Sequence, residues 1–414
     1  VPEVFDTWYD SGSVPFASQN LRQLVPADFI AEGLDQTRGW FYTLLVLSTA
    51  LFNKSPYKQV VVNGLILAED GKKMSKRLNN YPELTDVLDK YGADALRYYL
   101  MASPAVRAED VAFSEKGLDE VVKKIILRLE NVVAFYELYQ DENKNNSEIK
   151  KSERNSENVL DKWILARLAQ LNTEVTENLE NYELDQATRP FSLFVDDLST
   201  WYLRRSRKRL EALVVLRKVL LELAKLLAPF MPFIAEEIYQ KFKENSDPES
   251  VHLCAWPQVK EFDEKVLAEM SEVRKLVSLG LELRAKEGIK IRQPLQSLTV
   301  KNNINNIYSE IICDELNIKE LILAENLDVE LKLDLEITPD LNSEGDFRDL
   351  IRAVQDERKK LKLVPGQMAE LTFNPDKKVL IEKNDNKTEL QKTCAISSIN
   401  FSAECPTDSI RLKV

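Results

Sequence analysis

The chain has 414 residues, 44% hydrophobic and 30% charged, long enough for two to three domains with real cores and typical of a soluble globular protein. Its net charge of -12 excludes a generally basic nucleic-acid coat, so any RNA contact must come from a local patch; no apolar run reaches the roughly 18 to 20 residues of a membrane helix. The four cysteines, Cys254, Cys313, Cys394 and Cys405, lie far apart without Cys-x-x-Cys spacing, which excludes a zinc ribbon or a disulfide scaffold and fits a reducing compartment.

Asp28-Phe29-Ile30-Ala31 reads as a short buried strand, Thr37 to Phe52 as an apolar, largely buried helix, and Gln59 to Asn63 as a second strand, the order of a parallel α/β sheet. Glu32, Asp35 and Gln36 then lie between a strand end and a helix start, where ligands of open α/β sheets bind. Helices dominate from Leu84. Residues 141–158 are rich in Asn, Ser, Glu and Lys and read as a solvated linker. Beyond them, Leu160-Trp163-Ile164-Arg167-Leu168-Leu171 and Leu213-Leu216-Leu220-Leu223-Leu227 repeat at helical spacing, which calls for a bundle to bury both stripes. Pro229 and Pro232 punctuate the second helix and its successor. From about Ser297 the pattern changes. Leu327, Val329, Leu331, Leu333, Leu335 and Ile337 alternate with polar residues as in a half-buried strand; Phe347, Leu350, Ile351, Val354 and Leu361 share a helix face; Ile410, Leu412 and Val414 alternate again.

The densest chemistry lies in Lys73-Met74-Ser75-Lys76-Arg77, after the apolar run Val60 to Leu67 and the turn Glu69-Asp70-Gly71. Lys73 and Lys76 bring point charges on flexible stems and Ser75 a hydroxyl donor, a set suited to a polyphosphate. A Walker P-loop needs a different glycine spacing and Lys-Ser/Thr after the second glycine, which Gly64 and Gly71 do not provide. On composition alone the cluster would be a solvated surface turn. The only histidine, His252, has no recognisable partners for general-base work and reads as structural.

This cluster is similar to the second signature loop of class I aminoacyl-tRNA synthetases, with Arg77 at a position where Ser is usual. Glu32 to Phe41, Trp8-Tyr9-Asp10-Ser11-Gly12, Tyr91-Gly92-Ala93-Asp94-Ala95-Leu96-Arg97 and Trp201 to Arg207 resemble the isoleucyl-tRNA synthetases in the same order. The likeness is close over about three quarters of the chain and weaker after roughly Val300. It implies an α/β plus mainly α protein: the C-terminal part of a Rossmann-like catalytic domain over 1–118, a helical anticodon-binding bundle over 119–296 and a small C-terminal α+β domain over 297–414. The chain starts at Val1, within the family's interior, so a longer protein is expected whose upstream part holds the first signature and an editing domain.

The resemblance also implies roles. Lys73, Ser75 and Lys76 would be catalytic, with Lys76 on ATP. Gly33, Asp35, Gln36 and Asn63 would join the ATP site, Asp35 toward ribose hydroxyls; Glu32 would pair with the amino-acid ammonium, and Trp8 and Trp40 would wall the aliphatic pocket. The plainer alternatives are helix capping for Glu32 and Asp35 and core packing for the tryptophans. Between Leu203 and Lys218, Arg204, Arg205, Arg207, Lys208, Arg209, Arg217 and Lys218 face a single acid, Glu211. This basic helix, with Trp201 and Tyr202 at its edge, is the expected tRNA contact, through Arg204, Arg205, Arg207, Lys208 and Arg209, Trp201 itself belonging to the core. ATP is a substrate with magnesium implied, no metal site and no zinc are expected, and the partners are isoleucine, ATP and its tRNA. A cytoplasmic monomer without membrane contact is expected. A valine or leucine enzyme remains an alternative, against which Gly39-Trp40-Phe41 argues, and so does a non-catalytic RNA-binding module.

Overall fold

The computed structural model describes residues 6–18, 25–144, 156–301, 304–364, 366–383, 385–406 and 410–413. They gather into two compact units, Val1–Val266 and Leu267–Val414. Most of the expected linker, 145–155, lies outside the described residues, and its first residues, 141–144, continue a helix.

The first unit opens with α1 (Thr7–Ala17), β1 (Ala27–Gly33), α2 (Trp40–Phe52) and β2 (Tyr57–Asn63). β1 and β2 pair in parallel from Ala27 opposite Tyr57 to Gly33 opposite Asn63, the expected strand–helix–strand order. Ile30, Phe41 and Leu44 form the buried cluster beneath α2. The expectation of a largely buried α2 is corrected: Tyr42, Leu45, Val46 and Leu51 are exposed. A two-stranded sheet covers only one face of a helix. The flank is met by α1, where Gly12 lies against Thr43 and Leu47.

The chain continues through β3 (Ile66–Leu67), α3 (Leu84–Tyr91), α4 (Ala93–Met101), β4 (Val111–Ala112) and α5 (Glu115–Val121), with β3 parallel to β4. Gly64 makes this crossing possible. Its N–H donates to the Ala105 carbonyl at 2.7 Å, and a Cβ would lie 2.0 Å from the Glu109 carbonyl oxygen. Because backbone cannot yield as a side-chain tip can, Gly64→Ala should cost about 1–3 kcal/mol, read as a lower urea midpoint at unchanged slope. An unchanged midpoint would mean that the two segments separate without penalty.

The bundle comprises α6 (Leu127–Lys144), α7 (Val159–Glu180), α8 (Leu184–Thr188), α9 (Pro190–Asp196), α10 (Arg204–Ser206), α11 (Ala212–Leu227) and α12 (Pro232–Phe242). Both predicted stripes are buried: Leu160, Trp163, Ile164, Leu168 and Leu171 on α7, and Leu213, Leu216, Leu220, Leu223 and Leu227 on α11. Arg167, inside the α7 stripe, is accommodated by an ion pair with Asp197 at 2.9 Å. Pro232 takes the first turn of α12, where no N–H is needed. Asp94 and Arg97 of α4 tie the opening segment to the bundle. Asp94 accepts from the Phe233 and Ile234 N–H groups at the start of α12 (3.3 and 2.7 Å), and Arg97 donates to the Pro229 and Phe230 carbonyls (2.8 and 3.3 Å).

In the second unit one module occurs twice. The first copy is α13 (Glu264–Lys286), β5 (Leu295–Val300), α14 (Ser309–Leu316), β6 (Ile318–Leu323) and β7 (Leu331–Leu333). The second is α15 (Pro339–Lys360), β8 (Ala369–Phe373), α16 (Lys378–Glu382), α17 (Asn386–Cys394), β9 (Ile396–Phe401) and β10 (Arg411–Lys413). In each, the first strand is central, parallel to the second and antiparallel to the third. Each copy is closed by a buried arginine at the end of its long helix. Arg284 donates to the carbonyls of Lys290, Gln293 and Leu316, and Arg358 to those of Val364, Gln367 and Ala395. A left-handed residue precedes the second strand in both, Asn317 (φ 48°) and Ala395 (φ 50°).

Three expectations change here. The alternation from Leu327 to Ile337 forms strand only over Leu331–Leu333, and Val329, Leu335 and Ile337 are exposed, because β5 offers partners only from Leu298 to Val300. Leu361 falls just past α15 and is exposed rather than on its buried face. Strands β5, β6, β8 and β9 were not anticipated, their short apolar runs being ambiguous between helix and strand.

Candidate active site and RNA-facing surface

The parallel register sets Glu32 opposite Val62 and Gly33 opposite Asn63, so Glu32, Gly33 and Asn63 meet at the carboxyl ends of the strands. Glu32 and Asp35 are exposed, Asp35 on the short turn Leu34–Arg38. Neither caps α2. Gln36 does: its Oε1 accepts the Trp40 N–H at 2.9 Å while its Nε2 donates to Asp35 at 3.2 Å. Gln36 therefore orients Asp35 and holds the start of α2, leaving both carboxylates directed to solvent. Trp8 and Trp40 are brought together around Gly39, whose missing Cβ would lie 3.1 Å from the Trp8 ring. Trp40 is half-buried and donates from Nε1 to the Ser11 carbonyl at 3.2 Å. Trp8 is 48% exposed, so it is no core residue.

The segment after β3 forms a loop whose side chains divide cleanly. Lys73 bridges Leu67 in antiparallel fashion. Met74 packs inward against Val87, Phe113 and Leu118, while Lys73, Lys76 and Arg77 are exposed and Ser75 is half-buried. Lys72 is spent on Asp70, 3.1 Å away; the Lys72 N–H, and then its side chain, hold the Asp70 carboxyl below its usual range. Among the described residues Lys73, Lys76 and Arg77 make no ion pair. The loop thus presents cations whose charge no neighbouring acid cancels.

The basic segment splits. Arg204, Arg207 and Lys208 are exposed, Arg204 with its Nε on the Thr200 carbonyl (3.0 Å). Arg205 lies over the Trp201 ring, 5.7 Å from its centroid. Arg209 is corrected as an RNA contact: it pairs at 2.5 Å with Asp161, which is only 1% exposed and needs a counter-charge. Asp161 also accepts from the Tyr202 hydroxyl at 2.8 Å; burial, and secondarily this carboxylate, push the Tyr202 phenol well above its usual pKa. Trp201 and Tyr202 are both buried, so Trp201 is core as expected, and neither ring offers an edge for bases. No periodic signal marks Arg209: the helix carrying Trp201 and Arg205 ends at Ser206, and Arg209 lies in the turn beyond it. Sequence reasoning singles out neither Asn80 nor Asp161, and it meets Asp94 and Arg97 only within the stretch Tyr91 to Arg97 without a role, because their partners are remote or backbone. His252 is exposed on the turn Val251–Leu253, its N–H accepted by the Ser250 hydroxyl.

Residues 1–112 match the family model of class I tRNA synthetases for isoleucine, leucine, methionine and valine, and residues 161–300 match the anticodon-binding domain of tRNA ligases. The chain carries a class I tRNA synthetase domain followed by an anticodon-binding domain of tRNA ligases. Among curated relatives, the chain is 44% identical over 78% of its length to isoleucine–tRNA ligases of Chlamydia trachomatis serovar D and Chlamydia pneumoniae, covering 33% and 34% of them. The Protochlamydia amoebophila isoleucine–tRNA ligase is similar at 44% over 79% of the chain. The chain thus spans about one third of these relatives. A solved LeuRS of Agrobacterium radiobacter K84, in complex with tRNA and LeuAMS, shares the fold over 64% of this chain and 34% of its own (TM-score 0.51, 21% identity).

Among the described residues no group of three or more His, Cys, Asp or Glu side chains converges to hold an ion, and Asp70 is engaged by Lys72. No described helix is long and apolar enough to cross a membrane.

Proposed function

We propose that this chain is the nucleotide-loop, anticodon-binding and C-terminal part of an enzyme that joins isoleucine to its tRNA through an isoleucyl-adenylate. The observation that carries the reading is the loop: Met74 anchored in the core, Lys72 neutralised by Asp70, and Lys73 and Lys76 projecting without an ion pair. Activation sends the isoleucine carboxylate onto the α-phosphate of ATP and expels pyrophosphate. Little covalent work falls to the protein, so positioned charge does most of it. Lys76 and Lys73 meet the charge growing on the departing phosphates, and Ser75 donates to a phosphate oxygen. Gly33, Asp35, Gln36 and Asn63 form the nucleoside side of the site, Glu32 receives the ammonium, and Trp8 and Trp40 wall the isoleucine side chain. Magnesium enters on the triphosphate. The working protein is assigned to the cytoplasm as a monomer, with catalytic, anticodon-binding and C-terminal parts over 1–118, 119–296 and 297–414. ATP–pyrophosphate exchange by the complete enzyme tests the reading: dependence on isoleucine supports it, and preference for valine or leucine overturns the substrate assignment.

The exposed face of Arg204, Arg207 and Lys208 is assigned to tRNA phosphates. Reversing Arg204 and Arg207 to Glu should weaken tRNA binding and flatten its salt dependence, because fewer counter-ions are released. Filter binding across a salt series reads both quantities. An unchanged affinity and slope in a folded variant would return this face to plain solvation.

A further inference from the structure

We propose that Asn80 is a positioning residue of the phosphate loop, holding the backbone from which Lys73 and Lys76 reach the triphosphate; the inference rests on the reading of that loop given above. Its half-buried side-chain amide reaches back across the loop. Oδ1 accepts the Ser75 N–H at 2.9 Å and Nδ2 donates to the Lys73 carbonyl at 3.2 Å. These backbone groups flank Met74, whose side chain is held from the other side by Val87, Phe113 and Leu118. The return arm is set by Leu78 N–H on the Ser75 carbonyl (3.1 Å) and Asn79 N–H on the Lys76 carbonyl (3.3 Å). Asn79 adopts the left-handed conformation (φ 45°), which asparagine tolerates better than most residues.

The loop needs such a clamp for an electrostatic reason. Lys73, Lys76 and Arg77 repel one another and make no ion pair among the described residues, so charge works against a fixed backbone before ATP arrives. An amide is the side chain that accepts and donates at once. Aspartate would keep the acceptor for Ser75 and set an oxygen against the Lys73 carbonyl. With the backbone fixed, the flexible stems of Lys73 and Lys76 follow the phosphates while their roots stay in place, and misplacing such groups by about 1 Å costs on the order of 100-fold in rate.

The test is made in the complete enzyme with Asn80→Ala, Asn80→Asp, Lys76→Ala and the double variant Asn80→Ala/Lys76→Ala, by pyrophosphate exchange with separate kcat and KM for ATP and for isoleucine. Asn80→Ala and Asn80→Asp should each lower kcat/KM for ATP by about 10- to 100-fold and leave KM for isoleucine within about twofold. The double variant should lose far less than the product of the single losses, because Asn80 acts through the lysines. Strictly multiplicative losses, or equal damage to the ATP and isoleucine parameters, would overturn the inference and leave Asn80 a general support of the turn. If Asn80→Ala fails to fold, Asn80→Asp decides alone. A slow Lys76→Ala beside an unimpaired Asn80→Ala overturns only this inference; an unimpaired Lys76→Ala overturns the reading of the loop and this inference with it.

Discussion

Replacing Lys76 by Ala in the complete enzyme should slow adenylate formation on the order of 100- to 1000-fold, about 3–4 kcal/mol, while isoleucine binding changes little. Charge appears on the pyrophosphate oxygens only as the bond to the α-phosphorus breaks, so an ammonium placed there stabilises the transition state more than the bound substrates. Lys72→Ala provides the internal control. Lys72 lies four positions away with the same charge, so its removal lowers the loop's net charge by one unit just as Lys76→Ala does; yet its ammonium is 3.1 Å from Asp70, so what is lost is one exposed pair and not a cation that reaches the phosphates. Exposed pairs of this kind contribute about 0–1 kcal/mol, so Lys72→Ala should cost far less than Lys76→Ala. Single-turnover formation of the adenylate compares them directly, and equal losses would reduce the loop to a diffuse positive surface.

Asp161→Ala should be the most damaging single change to the bundle. It leaves the Arg209 guanidinium and the buried Tyr202 hydroxyl without the carboxylate they share, and breaking a buried charge pair from one side costs about 3–5 kcal/mol. Asp161→Asn keeps an acceptor for Tyr202 but not the counter-charge, and should fall between Ala and wild type. Urea unfolding followed at unchanged slope measures both. A loss below about 1 kcal/mol for Asp161→Ala would mean that water readily replaces the carboxylate. Arg204→Glu, on the exposed side of the same segment, should cost far less stability than Asp161→Ala while weakening tRNA binding.

The contrast between Arg204 and Arg209 shows how far residues speak for themselves. Both belong to one run of cations, and composition treats them alike. Arg209 turns inward because Asp161, far earlier in the chain, is buried and requires it. The same holds for the acids before α2: local capping tendency pointed to Glu32 and Asp35, but the 3-10 turn Leu34–Arg38 places Gln36 at the helix start instead. Trp8 and Trp40 read alike in the sequence, as pocket walls with core packing as the plainer alternative; packing of α1 on α2 leaves one exposed and the other half-buried.

By itself the order of residues determined what acts over short range: the stripes of α7 and α11 through helical periodicity, the strand–helix–strand unit through its apolar runs, and the Lys73–Arg77 loop through its local density of charge. It also placed Glu32, Asp35 and Gln36 between a strand end and a helix start, since parallel pairing follows from that unit. The tertiary structure alone decided which charges are cancelled and which are offered. Asp161 takes Arg209 and Asp94 caps α12 across long stretches of chain, whereas Asp70 with Lys72 and Asn80 with the Lys73 and Ser75 backbone are local contacts of one turn. The duplication in the second unit belongs to the same class, for the two copies share only scattered residues, among them Arg284 with Arg358 and Gln293 with Gln367. Their likeness lies in the strand pairing and in three backbone carbonyls that each arginine satisfies. Hydrogen bonds and ion pairs depend on distance in space, and partners this far apart in the chain meet only once the core has chosen their positions.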